Sequence, residues 1–517
     1  MRCVRSLIVV SCAVLVFAHA NAAEPMTPAE RAAQALDDVR DDPLRLHDFL
    51  FRMPKGADLH SHLHSAVFAE TLIADGAEDG LCVDPIAKAF TKSQPVMAGA
   101  EPHPVCEQGD VPATDAYKDP TLYNGLIDAF SMRGFVPSEG ETGHDHFFGA
   151  FKKFGGTDPS HTGEWLVEVA ARAARQNVQY LELMASPTWH RLNDITKDVT
   201  WRDDFASLRE ELLAKGLTQD IPAARAFWDE AEAKRDEQEG CGTEDASPGC
   251  DVALRYIYEV FRSAPKELVF AQALFGFELA AADPRVVAIN FVGEEDDPTA
   301  MTDYAEHMRM VGYLRDLYPD VHVSLHAGEL APGLVPPEGL CCHIRKAVET
   351  ARTDRIGHGV DVMYEDAPYD LMKRMADKGV LVEINLTSND DILGIAGKHH
   401  PFPLYRAFNV PVALSTDDAG IERIDLTNEY VRAVETYGLS YEDLKELVRN
   451  GLEYGFLPGV SLWTNRGGYS EMVPDCAGDE PSAAPLSAAC AGFLAGNEKA
   501  GQQWELERRF RRFEESL

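Results

Sequence analysis

Positive charge is the first thing this chain is short of. Against 85 Asp and Glu it sets only 48 Lys and Arg, leaving a net charge of -37 over 517 residues. A surface that acidic repels nucleic-acid phosphates and anionic lipid, so polynucleotides and membrane surfaces are disfavoured as partners, although a small anion in a local pocket is not. Long apolar runs are missing too. Ser6 to Ala18 is mostly apolar but too short to cross a ~30 Å hydrocarbon core as a helix, and no later run is longer. It follows Arg2 and Arg5 and precedes Ala18-His19-Ala20-Asn21-Ala22-Ala23. That is the n-region, h-region and A-x-A order of a cleaved secretory signal. Residues 1–22 are therefore read as a signal peptide. The protein is expected to be exported, periplasmic or extracellular, with no membrane attachment after the signal is removed.

No CxxC pair occurs, which argues against a zinc knuckle. Of the ten cysteines, Cys3 and Cys12 fall in the signal, and an oxidising compartment favours disulfides among the others. Cys82/Cys106, Cys241/Cys250 and Cys476/Cys490 are the expected local pairs. Adjacent Cys341 and Cys342 are not expected to bond each other. Internal repeats and low-complexity tracts are absent.

What the chain does have is a rhythm. Strand-like apolar runs occur at Ala57–His60, Val178–Met184, Leu254–Tyr258, Val286–Phe291, His322–Leu325, Arg355–His358, Leu381–Leu386 and Val410–Ser415. Helical patterns separate them, as at Pro265–Ala282, Tyr304–Leu317, His343–Thr350 and Asp370–Lys378. Eight βα units predict a (β/α)8 barrel of the TIM type. Insertions are expected after strands 1 and 2, at about 76–120 and 190–250. The full division is an N-terminal helical segment at 23–50, the barrel at 51–460 and a C-terminal tail at 461–517.

Chemistry gathers where these strands end. Strand one runs into His60-Ser61-His62, and alternate residues of a strand share a face, so both rings can turn into the barrel mouth. Strand five ends His326-Ala327-Gly328-Glu329 and strand eight Ser415-Thr416-Asp417-Asp418. His60, His62, His326 and Asp417 make three imidazoles and a carboxylate, a donor set suited to one Zn2+ with room for a water. Strand four ends Asn290-Phe291-Val292-Gly293-Glu294, without the lysine that a carboxylate-bridged pair of metals would need. One ion is therefore expected. His144-Asp145-His146, ahead of an aromatic run, reads as a lid or mouth loop and not as a second metal site.

The ordered set of motifs resembles the adenosine deaminase family. It comprises Met53 to Leu63, Tyr180-Leu181-Glu182-Leu183 with Ser186-Pro187, the His326 run, Arg355 to Val360, Leu386-Thr387-Ser388-Asn389, and Ser415 to Asp418. The export signal and the insertion after strand one are similar to the extracellular, growth-factor-related branch. The resemblance implies hydrolytic deamination of adenosine and 2′-deoxyadenosine, with a small purine nucleoside as partner; a homodimer stays open. It implies that zinc supplies hydroxide to C6, that Glu329 protonates N1, and that His358 orients the attack beside Asp417. Asp418 would accept a hydrogen bond from N7, and the Gly293 amide would reach N3, where a side chain would block the approach. Glu182, His64 and Asn389 are expected to face the mouth. Other readings are a deaminase of adenine, of a 5′-modified adenosine or of another amino-heterocycle, and a non-catalytic secreted signalling relative.

One position departs from the family. Where its first strand continues His-x-His-Leu-Asp-Gly, with the aspartate on the ribose 5′-hydroxyl, this chain has Leu63-His64-Ser65. A histidine titrating near ~6.5 would become a cation on acidification and favour a 5′-anion.

Overall fold

The apolar runs pair side by side. The computed structural model describes residues 26–93, 105–157, 159–187, 190–481 and 485–517; the signal sequence lies outside them. Eight strands form one parallel sheet in chain order. They are β1 Gly56–His62, β2 Val178–Met184, β3 Ala253–Phe261, β4 Val286–Val292, β5 His322–Ala327, β6 Arg355–His358, β7 Leu381–Ile384 and β8 Val412–Leu414. Every residue of β2 and β4 is buried, as strands covered on both faces require. Helices such as Lys266–Ala282, Pro298–Leu317 and Pro368–Lys378 carry the chain back between strands.

The sheet then closes on itself. Ser61 forms a parallel bridge with Asp417; Asp417 N donates to His60 O at 2.8 Å and His62 N to Asp417 O at 3.1 Å. Just below, the Asp58 carboxylate accepts from Thr416 Oγ1 at 2.7 Å and from Thr416 N at 3.3 Å. The fold is a (β/α)8 barrel, and its seam passes through the strand-end histidines.

Several boundaries move for identifiable reasons. Strand seven stops at Ile384 because Leu386 opens a helix, Leu386–Leu393, whose first amides are taken by Glu429. The helix expected from Tyr304 starts at Pro298, where Asp297 caps the amides of Thr299 and Ala300. The helix from His343 closes at Lys346 and runs on as a π turn, Ala347–Ala351.

The excursion after β1 contains a small antiparallel sheet, Cys82–Asp84, Ala89–Thr91 and Val111–Pro112. It continues through the helices Pro120–Ala129, Gly143–Phe154 and Thr162–Arg175. The excursion after β2 includes the long helix Ile221–Glu239. The C-terminal helix Glu498–Glu515 docks on the helix Pro43–Arg52, where Phe513 lies 5.1 Å from Phe49, and on the helix Tyr441–Tyr454, where Glu514 pairs with Lys445 at 2.8 Å.

All three local cysteine pairs are bonded. Cys341 and Cys342 are bonded as well, against expectation. Cys342 takes a left-handed backbone, φ +83°, which lets neighbouring sulfurs meet. Among the described residues no helix is long and apolar enough to cross a membrane.

Candidate active site

Four donors converge at the mouth. His326 Nε2 lies 3.1 Å from His60 Nε2 and 3.3 Å from His62 Nε2; Asp417 Oδ1 lies 3.3 and 3.5 Å from the same two nitrogens. Ligands about 2.0–2.1 Å from a tetrahedral ion stand roughly 3.3–3.4 Å apart. The donors therefore already sit at the corners such an ion needs. Asp417 Oδ1 is buried with no hydrogen-bond partner among the described residues, which fits a metal ligand.

The proton on each ring is fixed from behind. Glu383 on β7 takes His60 Nδ1 at 2.6 Å, Glu259 on β3 takes His62 Nδ1 at 3.0 Å, and Asn290 Oδ1 on β4 takes His326 Nδ1 at 2.9 Å. With every Nδ1 hydrogen committed, each Nε2 presents a lone pair to the centre. Burial opposes the charge of Glu383, but Arg355 at 2.5 Å and His60 hold its carboxyl down to about 2. Space matters as well. A Cβ on Gly357 would stand 2.6 Å from His60 Cε1, so only glycine at that point of β6 leaves room for the ring. Replacing Glu259 by Ala is expected to weaken metal affinity by about 10–100-fold with the fold intact, read by chelator competition. An unchanged affinity would refute the orienting role.

His358 is set by a relay that the sequence did not disclose. The amide of Phe402 can only donate, so His400 Nδ1 accepts from it at 3.1 Å and carries its proton on Nε2. That Nε2–H donates to Asn389 Oδ1 at 2.9 Å, which turns the Asn389 amide so that Nδ2 donates to His358 Nδ1, also at 2.9 Å. Burial holds His400 down to about 3 and His358 to about 4, so both rings are neutral near pH 7. His358 thus carries its proton on Nε2. This N–H is buried, 3.6 Å from Asp417 Oδ2 and 3.7 Å from Glu329 Oε1, and finds no partner among the described residues. An Asn389→Asp variant would demand the other tautomer. It should keep the metal and lose about 10–100-fold in turnover, and normal turnover would remove the relay.

His358 and Asp417 both hold left-handed backbone, φ +69° and +57°, which non-glycine residues rarely adopt. The seam hydrogen bonds on either side of Asp417 keep it there. Glu329 is pinned through its own amide, since Glu295 accepts from Gly328 N at 3.1 Å and Glu329 N at 2.8 Å and is itself held by His343 Nδ1 and Arg262. Burial, then the charges of Asp417 and Glu295, push the Glu329 carboxyl well above its ordinary range. Burial and Asp417 likewise raise Asp418 to about 7; Ser65 Oγ donates to it.

Glu329, Asp417 and Asp418 line a cavity of about 300 Å³ with Gly293, and the helix Gly143–Phe154 roofs it with Phe147, Phe148 and Phe151. At Gly293 an added Cβ would meet only Ser263 Oγ at 3.8 Å, so no protein atom excludes a side chain there; the φ of +90° independently favours glycine. Asp418 stands at the N-terminus of the short helix Ala419–Glu422 and lines the same cavity as Asp417.

Two residues, Glu182 and Asn389, are not where the sequence suggested. Glu182 lies inside the barrel below the donors, bonded to Arg355, Tyr180 and the Phe456 amide. Asn389 stands behind His358. His64 borders the neighbouring cavity, stacked on Trp165 at 4.9 Å, and burial lowers it to about 4, so no cation forms between pH 5 and 8. His144 and His146 are held apart on the roof helix, by Asp296 and Glu141.

With the site assembled, comparison with known proteins is informative. The adenosine deaminase family profile matches residues 233–461. Over that region, a little under half of the chain, the sequence is that of the adenosine deaminase family. An adenosine deaminase of Clostridium perfringens (strain ATCC 13124) is 31% identical over 172 residues, 33% of this chain and 47% of that protein. One from Escherichia coli (strain SMS-3-5) is 31% identical over 174 residues, 32% and 49%. These matches thus span about half the length of the curated relatives. Two Arabidopsis structures share the fold at 20% identity and TM-score 0.51. One is named ADAL and was solved with GMP, covering 79% of this chain and 94% of that one; the other is an N6-mAMP deaminase, covering 79% and 95%. His60 and His62 precede the region matched by the adenosine deaminase profile, and it is barrel closure that brings them to it.

Proposed function

We propose that the protein hydrolyses adenosine and 2′-deoxyadenosine to inosine and 2′-deoxyinosine, using one zinc ion held by His60, His62, His326 and Asp417. The observation that carries this reading is the tetrahedral spacing of four donors, one of which, Asp417, lies 3.6 Å from buried His358, itself 3.7 Å from Glu329. When bound, zinc supplies Lewis-acid activation of a water.

The chain's own groups account for the rest. His358 Nε2–H donates to the incoming oxygen opposite Asp417 Oδ2, fixing its approach to C6. Glu329, protonated because it is buried beside Asp417, delivers its proton to N1 as the ring gains the oxygen. Neutral N7 carries a lone pair, so the acceptor role first given to Asp418 fails. With its carboxyl raised to about 7, Asp418 instead keeps a proton to donate there. Gly293 lines the other wall of the cavity, where its amide is assigned to N3. Overall, water supplies the oxygen at C6; one of its hydrogens is balanced by the proton placed on N1 and the other leaves with the amino group as ammonia.

Four disulfides fit work in an oxidising compartment, and with the signal sequence they support export. The test is ammonia release by zinc-loaded protein from adenosine, 2′-deoxyadenosine, adenine, guanosine and AMP. AMP belongs in the panel because the Arabidopsis neighbours are named for nucleotides. Inactivity on all five would refute the proposal.

A further inference from the structure

A second cavity adjoins the first and has no part in the steps above. It measures about 340 Å³ and shares His62, Phe151, Glu259 and Phe261 with the cavity over the metal donors. Its remaining walls are mostly apolar, with Trp165, Met184, Phe227 and Trp228 the largest pieces. No Lys or Arg occurs among the described residues that line it. The single carboxylate there, Glu259, stands on the shared wall and already accepts from His62. His64 is spoken for as well, with Nε2 3.3 Å from Thr157 Oγ1 and its ring flat on Trp165. Among the residues of the first cavity the only lysine is Lys152, an exposed side chain on the roof helix.

A purine over Glu329 and the metal donors must send its sugar into a neighbouring space, and this cavity is bordered by the same four residues. Its volume equals roughly eleven waters at ~30 Å³ each. A ribosyl unit has fewer heavy atoms than that, and bonded atoms pack closer than waters do. Room is therefore left beyond the 5′ carbon, walled by aromatic rings. A phosphate placed there would lose its hydration and meet no cation, with a carboxylate close by.

We infer that this chamber is a specificity site for the 5′ side of the nucleoside, shaped for an uncharged, apolar substituent such as a short alkylthio group and closed to a 5′-phosphate. The inference rests on the proposed deamination at the adjoining cavity. It makes 5′-deoxy-5′-alkylthioadenosines substrates in their own right, deaminated at C6 to the corresponding inosines with water as co-reactant.

The experiment measures kcat/KM of the zinc-loaded full-length mature protein for adenosine, 5′-deoxy-5′-methylthioadenosine, its propylthio homologue and AMP. The thioethers should match or exceed adenosine, rising by up to about fourfold for each added methylene that is buried. AMP should fall at least roughly a hundredfold below adenosine, the penalty of a buried unpaired charge. Phe227 is half-buried on the helix Ile221–Glu239, where substitution is tolerated best. Phe227→Arg should shift the AMP-to-thioether ratio by at least about tenfold toward AMP, and Phe227→Ala should erase the gain from methyl to propyl. Adenosine turnover together with thioethers that worsen as the chain lengthens, or with AMP near adenosine, overturns the chamber assignment. No turnover of any of the four sinks the deamination reading itself, and the chamber with it.

Discussion

Glu329→Gln is expected to keep its metal and lose turnover, with kcat down by at least ~10²–10⁴. Glu329 is not one of the four converging donors, and its position is set by the grip of Glu295 on its amide, which the substitution leaves alone. The amide side chain fills the same volume but has no acidic proton to give N1. Metal analysis and single-turnover rates on one preparation check this, and wild-type kcat in a metal-replete variant would end the role. The raised carboxyl also sets two signs. Activity needs the acid form, so kcat/KM should fall on the alkaline side as pH rises through the Glu329 pKa. The folded state holds this proton more tightly than the unfolded chain does. Stability from this group is therefore complete below the ordinary carboxylate pKa and is lost as pH rises through the folded value. Metal-free Glu329→Gln lacks that loss, so its Tm advantage over the wild type should grow with pH. A constant difference would mean the carboxyl is not buried as an acid.

Removing a donor should remove metal and activity together. His60→Ala leaves three ligands and takes the partner of Glu383 Oε2; Asp417→Ala takes out the only anionic donor. Both are expected to lose stoichiometric zinc and all measurable deamination, since a four-ligand site short of one member cannot hold its geometry. The thermal consequence is separate from the catalytic one. Wild-type protein should gain about 2.7 kcal/mol of stability at a zinc concentration of 100 times Kd, and the variants should not respond to zinc in that range. Full zinc occupancy in both variants would refute the ligand assignment.

What could be read in the sequence was whatever lies in short runs at strand ends. His60 and His62 announce themselves by their spacing, and His326 with Glu329, His358 and Asp417 with Asp418 by their place after apolar stretches. The groups behind them do not. Glu383, Glu259 and Asn290 are single polar residues inside buried strands, and their partners come from other strands, so no local pattern links them. A lone charge or amide in an otherwise apolar strand was the available signal, since a buried polar group needs a partner. Glu182 gave that signal too, but depth along the strand decides between floor and mouth, and periodicity does not measure depth. The relay through His400 and Asn389 depends on one backbone amide, and the roof depends on how an insertion folds back. Composition is blind to both.

The bridge between Ser61 and Asp417 has a bearing on how the protein is made. Asp58 and Thr416, which flank it, are 358 residues apart in the chain. During synthesis the His60 and His62 pair emerges early, His326 much later, and Asp417 last. Two imidazoles alone hold zinc weakly, so a nascent chain cannot trap the ion before the last strand has come round to meet the first. Tight zinc retention is then a certificate of completed assembly. A truncated or misregistered chain would give up its ion to any modest chelator in the compartment where it folds, and its failure would be legible without any assay of catalysis.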